Sequence, residues 1–384
     1  MGSTGTICQE ISSVLTGANI ENYILYSVGH SDDPMGIRYA DDRDLKLQAL
    51  KSRLSGQYGF VSKHMTRKLL AELDWIKPDI VQIHNLHSHN CNLRMLFDYL
   101  KKRNIKVYWT FHDCWAFTGY CTHFVLQGCE KWKQGCTDCP QRKKFSWFMD
   151  RSTNLYEKKK TLFNDVDLTI ITPSRWMIEQ IQQSFLRNKP CRLIPNGIDL
   201  STFQPLASDF REKYGVRESF VILGVAFDWG TRKGLDVFLE LAKRLDDRFK
   251  IVLVGTDPKI DQLLPSHVIS IHRTADKREL ASLYSTADVF LNPTREDTFP
   301  TVNLEALACG TPVVTFETGG SPEMLTEKCG IVVRKDDVDQ LEDVLCRLCE
   351  QPRFTAEQCI ARAREFEKGR CFQHYLTVYR ERNG

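Results

Sequence analysis

The sequence predicts an α/β protein built from two doubly wound parallel sheets. Three observations carry that prediction. The chain has 384 residues, more than one compact core ordinarily organises. Apolar runs of strand length alternate with segments of helical period through most of it. The alternation breaks once, at Pro195-Asn196-Gly197-Ile198-Asp199, which has turn chemistry. The predicted domains are therefore 1–195 and 196–384.

Each element follows from local pattern. Gly2-Ser3-Thr4-Gly5 opens the chain as a glycine-rich loop before an amphipathic helix over 6–15. Tyr23-Ile24-Leu25-Tyr26-Ser27-Val28 reads as a strand ending at Gly29, and 31–60 as a long polar excursion with little periodicity. A helix over 62–76 stops before Pro78, and a buried strand follows over 79–84. Then come a helix over 93–103 and a strand over 106–110 that runs into Phe111-His112-Asp113. A strand at 168–171, a helix at 175–184 and a strand at 191–194 complete the first domain. The second has strands at 220–225, 250–255, 269–271, 289–291 and 312–314, a helix at 235–245, and a final amphipathic stretch, 355–382. No strand precedes Gly2, where a doubly wound sheet would carry its central first strand, so the chain is expected to start about ten residues late, through a misassigned start, a truncation or loss of that strand.

Composition narrows the class. Apolar residues make up 42% and charged residues 26%, values of a soluble globular chain. No run approaches the ~18 apolar residues of a membrane span. Met1-Gly2-Ser3-Thr4-Gly5 has neither the basic nor the apolar region of a signal peptide, so the expected location is the cytoplasm. Charge is uneven: residues 1–195 hold 27 Lys and Arg against 19 Asp and Glu, and 196–384 hold 25 against 30. The basic first half suits a phospholipid surface or a polyprenyl diphosphate, the alternative being a plain solvated face. Arg142-Lys143-Lys144-Phe145-Ser146-Trp147-Phe148 mixes bases with aromatics, the composition of a peripheral contact on the inner membrane face. Nucleic acid is not an expected partner, because the basic excess is modest and no recognition motif accompanies it.

In doubly wound sheets ligands sit beyond the carboxyl ends of strands, so the residues just after strands are the ones to inspect. After the strand at 289–291, Asp297 and Glu305 bracket a turn and a helix start formed by Phe299, Pro300 and Thr301, with Glu296 as a neighbouring acid. Carboxylates accept paired hydrogen bonds from sugar or ribose hydroxyls, and helix-start amides bind phosphate oxygens. After the strand at 220–225, Arg232 and Lys233 stand at a helix start, an unfavourable place for bases unless an anion joins them. The amides around Gly2 and Gly5 are expected to approach the same phosphates. His112 follows a strand end, where a neutral imidazole can hydrogen-bond a sugar or a transferred proton. Asp113 is expected to orient it or act on an acceptor hydroxyl.

The run from Asp297 to Gly310-Thr311-Pro312-Val313-Val314 resembles the donor-binding signature of glycosyltransferase family 4. That signature has two acids separated by seven residues, then a small-residue helix; Thr318-Gly319-Gly320-Ser321-Pro322-Glu323 is similar to the family's glycine-rich loop. The resemblance covers nearly the whole chain, is strongest over 174–333, and points to the bacterial exopolysaccharide and colanic-acid type. It implies a GT-B fold: two Rossmann-like domains facing a cleft, with a C-terminal helix crossing back to the first. It implies retaining transfer of a sugar from a nucleotide-diphosphate donor to a glycan or lipid-linked acceptor in cell-surface polysaccharide biosynthesis, without a catalytic metal. By the same resemblance Glu305 contacts the ribose, Asp297 the transferred sugar, Lys233 the diphosphate, and His112 faces the donor sugar. Two positions depart from the family: Asp297 stands where it has Glu, and Asp228 where it has Arg, leaving Arg232 as the replacement base. An impaired sugar-nucleotide-binding protein and a GT-B glycoside phosphorylase are the alternative readings.

Fourteen cysteines in such a chain should be mostly reduced. Cys8, Cys191, Cys309, Cys346 and Cys349 fall in apolar patterns and read as small core residues. Cys121, Cys129, Cys136 and Cys139 do not. They lie in an insertion, 114–140, that ends in a C-x-x-C, and suggest a structural tetrahedral zinc site, with disulfides or simple packing as alternatives.

Overall fold

The computed structural model describes residues 3–31, 33–87 and 89–381, in two compact units: Met1–Pro195 with Phe372–Gly384, and Asn196–Cys371.

In unit 1, β1 (Ile24–Tyr26) and β2 (Gly36–Arg38) pair with each other as a parallel ribbon. β3 (Ile80–Ile83), β4 (Lys106–Thr110), β5 (Leu168–Thr172) and β6 (Cys191–Leu193) form a parallel sheet in chain order. Because strand side chains alternate in direction, both faces of this sheet must be covered. Val107, Trp109, Leu168 and Ile170 pack with Phe97, Leu100, Leu155 and Phe163 of the connecting helices. Tyr108, Ile171 and Ile194 face the other way, under Ile11 of the helix Ser3–Gly17 and Phe372, Tyr375 and Val378 of the helix Lys368–Arg380. The Tyr108 hydroxyl donates to the Val378 carbonyl at 3.1 Å, and Tyr379 to Gln82 Oε1 at 2.9 Å. The residues from Phe372 onward, which the sequence places in the second domain, thus pack on the sheet of unit 1.

Two sequence expectations change here. The segment 31–60 is not a structureless excursion but holds β2 and a helix, Asp42–Ser55. Asp41 caps that helix by accepting from Asp44 N, and Gly56 closes it in the left-handed region (φ 67°), so the framing signals were present. Periodicity missed it because Leu47, Leu50 and Leu54 all face solvent. At the N-terminus, Gly2 lies outside the described residues, and Gly5 sits within the first turn of the helix Ser3–Gly17 rather than in a loop.

Unit 2 contains β7 (Phe220–Val225), β8 (Phe249–Val254), β9 (Ile269–Ile271), β10 (Val289–Asn292), β11 (Val313–Phe316) and β12 (Gly330–Val333). All six are parallel, in the order β12-β11-β10-β7-β8-β9. Val221, Leu223, Val252, Phe290 and Val313 pack with the helices bearing Tyr284, Leu304 and Cys359. Ile222, Ile251, Leu253, Leu291 and Val314 pack with those bearing Phe238, Leu241 and Leu345. Strand order reverses between β7 and β10, which makes the loops after these two strands the switch point.

Candidate functional site

The two switch-point loops are locked together. Gly234, at φ 77°, lies so close to Pro293 that a Cβ there would come within 2.5 Å of the Pro293 carbonyl oxygen, so only glycine fits. Arg295 ties the same loops from the other side. Its amide donates to the Arg232 carbonyl at 2.9 Å, and its guanidinium grips both Asp236 oxygens at 2.8 Å, the Thr231 carbonyl and Asp336. Hydrogen bonds donated to Asp236 and Asp336 raise the Arg295 pKa further despite its burial. Sequence reasoning did not single out Arg295, since nothing in the string separates it from a surface base.

This clamp brings Lys233 Nζ to 2.7 Å from Asp297 Oδ2. The other Asp297 oxygen accepts the Phe299 amide at 3.2 Å. Gly319 (φ 53°) backs onto Asp297 so closely that a Cβ would stand 1.8 Å from its carbonyl oxygen, which also accepts the Gly320 amide at 3.2 Å. Glu296 is buried, and Asp297, not Glu296, is the acid that meets Lys233. Arg232 pairs instead with Asp228, at 3.3 Å.

The helix Thr301–Ala308 begins here, with Pro300 at its N-cap and no side-chain cap. Proline offers neither an N–H nor a capping oxygen, so the leading amides of Thr301 and Val302 keep the positive end of the helix unsatisfied by capping. The Phe299 ring is buried, 6.0 Å from that of Phe366, leaving only its backbone near the acid. Asn303 anchors the helix, accepting from Asn292 Nδ2 at 2.7 Å and donating to Ser321 Oγ at 2.9 Å. On the second turn Glu305 accepts from the Tyr284 hydroxyl at 3.0 Å. Burial lifts its pKa to about 7, against the lowering effects of Tyr284 and Lys277.

In unit 1, His112 follows β4 as expected, but its partner is His84, which follows β3. His84 Nδ1 and His112 Nε2 are 3.0 Å apart, and the rings stack with centroids separated by 5.3 Å. One proton lies between these nitrogens, so one ring donates and the other accepts. Burial lowers the His112 pKa to about 4 and that of His84 well below the usual value, and each also feels an unfavourable neighbouring histidine. Asp113 also has partners of its own. Its Oδ2 pairs with His87 Nε2 at 2.9 Å, and Oδ1 accepts the Trp115 amide at 2.8 Å. His84 and His87 were not anticipated, though the rule that drew attention to His112, position after a strand, applies equally to His84.

Cys121, Cys129, Cys136 and Cys139 are free thiols that line one small cavity. Among the described residues no group of three or more His, Cys, Asp or Glu side chains stands close enough together to hold a metal ion, and no helix is long and apolar enough to cross a membrane.

Parallel sheets in both units, with a base, two acids and an uncapped helix at the strand reversal of unit 2, define a protein of the GT-B fold. The chain superposes on sucrose-phosphate synthase from Thermosynechococcus elongatus with a TM-score of 0.73 at 18% identity, over 99% of this chain and 93% of that one. It superposes on Anabaena Alr3699/HepE, solved with UDP and glucose, with a TM-score of 0.68 at 14% identity, over 99% and 96%. Residues 5–202 match the family described as Glycosyltransferase Family 4, and 217–351 match Glycosyl transferases group 1; the chain belongs to Glycosyltransferase Family 4. It is similar to the putative colanic acid biosynthesis glycosyl transferase WcaC of Escherichia coli K12, 28% identical over 276 residues, 69% of this chain and 66% of that protein. A GDP-mannose-dependent alpha-(1-6)-phosphatidylinositol monomannoside mannosyltransferase of Mycolicibacterium smegmatis is 30% identical over 221 residues, 52% of this chain and 57% of that protein. The matched region thus spans 57% to 66% of the length of these relatives.

Proposed function

We propose that this chain transfers a sugar from a nucleoside-diphosphate donor, with retention at the anomeric carbon, to a lipid-linked or glycan acceptor in polysaccharide or glycolipid synthesis. The observation that carries this reading is the Lys233–Asp297 pair at the uncapped start of the helix Thr301–Ala308, with Glu305 one turn further along it. In this reading Lys233 and the leading amides take the diphosphate, Asp297 the hydroxyls of the transferred sugar, and Glu305 the ribose diol. Kinship with WcaC and with the mannosyltransferase, and the likeness to HepE, support it.

The acceptor oxygen forms its bond to the anomeric carbon on the face from which the diphosphate departs. As the bond from that carbon to the diphosphate breaks, a leaving phosphate oxygen receives the acceptor's proton. Lys233 and the amides stabilise the charge that develops on the phosphate, where fixed donors are most effective. His112, neutral at physiological pH, is a hydrogen-bonding group rather than a cation. The direct test is to offer UDP- and GDP-sugars with polyprenyl-diphosphate acceptors and assign the product's anomer by NMR. Melting should also rise with UDP or GDP, and Glu305→Ala should abolish that rise. If no nucleoside diphosphate raises the melting temperature, the donor site is refuted.

A lipid-linked acceptor calls for work at a membrane surface, and we assign that contact, at the cytoplasmic face, to unit 1. Trp147, Phe148 and Met149 are exposed, Phe148 by 70%, directly after the basic turn Arg142–Phe145. Burying one such ring stabilises by roughly 1.5–3 kcal/mol. Trp147→Ser with Phe148→Ser should therefore weaken sedimentation with phosphatidylglycerol vesicles by about 100-fold or more. Equal sedimentation of both forms would remove the assignment.

A further inference from the structure

We propose that Cys121, Cys129, Cys136 and Cys139 form a structural zinc site that holds the 114–140 insertion in its fold. This is independent of the donor-site reading. The four cysteines are spread along one insertion and line a single cavity of about 10 Å³, the room of one water-sized sphere. The rest of the wall includes Trp132 and Tyr120, with no carboxylate or imidazole. An all-thiolate set in a pocket for one atom is zinc chemistry; magnesium and calcium take oxygen.

The insertion also needs a fastener. Its only regular pieces are the short turns Trp115–Phe117 and Lys131–Lys133, so few backbone hydrogen bonds hold it, and yet it buries Trp115, Phe117, Phe124 and Trp132. Long irregular segments around small cores are characteristically stapled by metals or disulfides. Its backbone offers contacts that a metal site would use. The Gly119 amide points at Cys136 Sγ from 3.1 Å, the kind of N–H donor that stabilises a bound thiolate. The Cys139 amide is pinned by Asp150 Oδ2 at 2.7 Å, and Asp138, inside the C-x-x-C, takes the left-handed conformation (φ 42°) that turns the loop back on itself.

A buried cation completes the arrangement. Lys159 is wholly buried, its ammonium held by the carbonyls of Trp115 (2.8 Å), Thr118 (3.0 Å) and Gly119 (3.4 Å), and set 3.6 Å over the Trp115 ring. One peptide away, Gly119 faces Cys136. Zinc with four thiolates carries a net charge of −2, and a buried lysine beside it offsets part of that charge. On binding, each thiol gives up its proton and the sulfurs close to the ~2.3 Å of a zinc–thiolate bond.

The full-length chain, purified under reducing conditions and washed with a weak chelator, should hold one zinc per molecule by plasma mass spectrometry. Cobalt(II) exchanged into it should show the charge-transfer and d–d absorption of a tetrahedral tetrathiolate. Cys136→Ser and Cys139→Ser should each lose the metal. Because those variants can misfold, Lys159→Met supplies a second measurement: it keeps all four ligands and should release zinc to a chelator at least tenfold faster. Folded, reduced wild type with neither zinc nor the cobalt spectrum overturns the site. So does peptide mapping that finds these cysteines joined as two disulfides.

Discussion

Replacing Lys233 by methionine is expected to lower turnover about 10²–10³-fold while leaving the fold intact. Removing one fixed donor from a site of developing negative charge costs that much in rate. Lys233 is the base that the clamp of Arg295 and the close contact at Gly234 carry to Asp297. Its ion pair is only partly buried, with side chains 17% and 20% exposed, so its worth to stability is about 1 kcal/mol or less. Melting should therefore move by a few degrees at most, which separates a catalytic loss from an unfolding one. Arg232→Ala should cost less, because that base is more exposed and pairs with Asp228 rather than with Asp297. The measurement is kcat and KM for the sugar nucleotide in both variants. Unchanged kcat in Lys233→Met would mean that the base does not serve the leaving group.

Much of this arrangement was legible in the sequence, and what was missed shares a cause. Strands β4 and β7 and the helix Leu93–Arg103 lie where period and breakers put them, because each is a buried parallel strand or a strongly one-sided helix. The acids and Lys233 were found because positions after strands are few. Pairings between distant loops left no such trace. Arg295 reaches Asp236 and Asp336 across the switch point, and His84 meets His112 only because β3 lies beside β4. Asp113 shows the same limit: adjacency in sequence suggested His112, and the turn brings its oxygens to His87 and the Trp115 amide as well. Sequence neighbours around a strand end point in different directions, so a contact there is decided by the adjoining strand.

Nucleotide binding should tighten as pH rises through 7, and Glu305 should be the reason. Burial holds its carboxyl at about 7 in the unliganded chain, so near neutrality roughly half the molecules carry the proton. Accepting both ribose hydroxyls requires the carboxylate. Binding must therefore expel the proton, and each unit of pH below 7 weakens the nucleotide by up to about tenfold, or about 1.4 kcal/mol. Stability without ligand follows the opposite sign. Relative to an unfolded carboxyl at 4.5, the folded acid holds its proton more tightly, so its contribution is present below 4.5 and is lost as pH rises through 7. His84 and His112 act the other way: their folded values lie below 6.5, so their cost appears as pH falls from 6.5 toward 4. Melting of wild type alone mixes these effects. The difference between wild type and Glu305→Gln isolates the acid, since glutamine can still accept from Tyr284 but cannot titrate. Calorimetry with UDP and GDP at pH 6, 7 and 8, in buffers of different ionisation enthalpy, should find proton release in wild type. It should find a flatter pH profile in Glu305→Gln, whose remaining slope is that of the nucleotide's own phosphate. Identical profiles for the two proteins would show that Glu305 does not meet the ribose as a carboxylate.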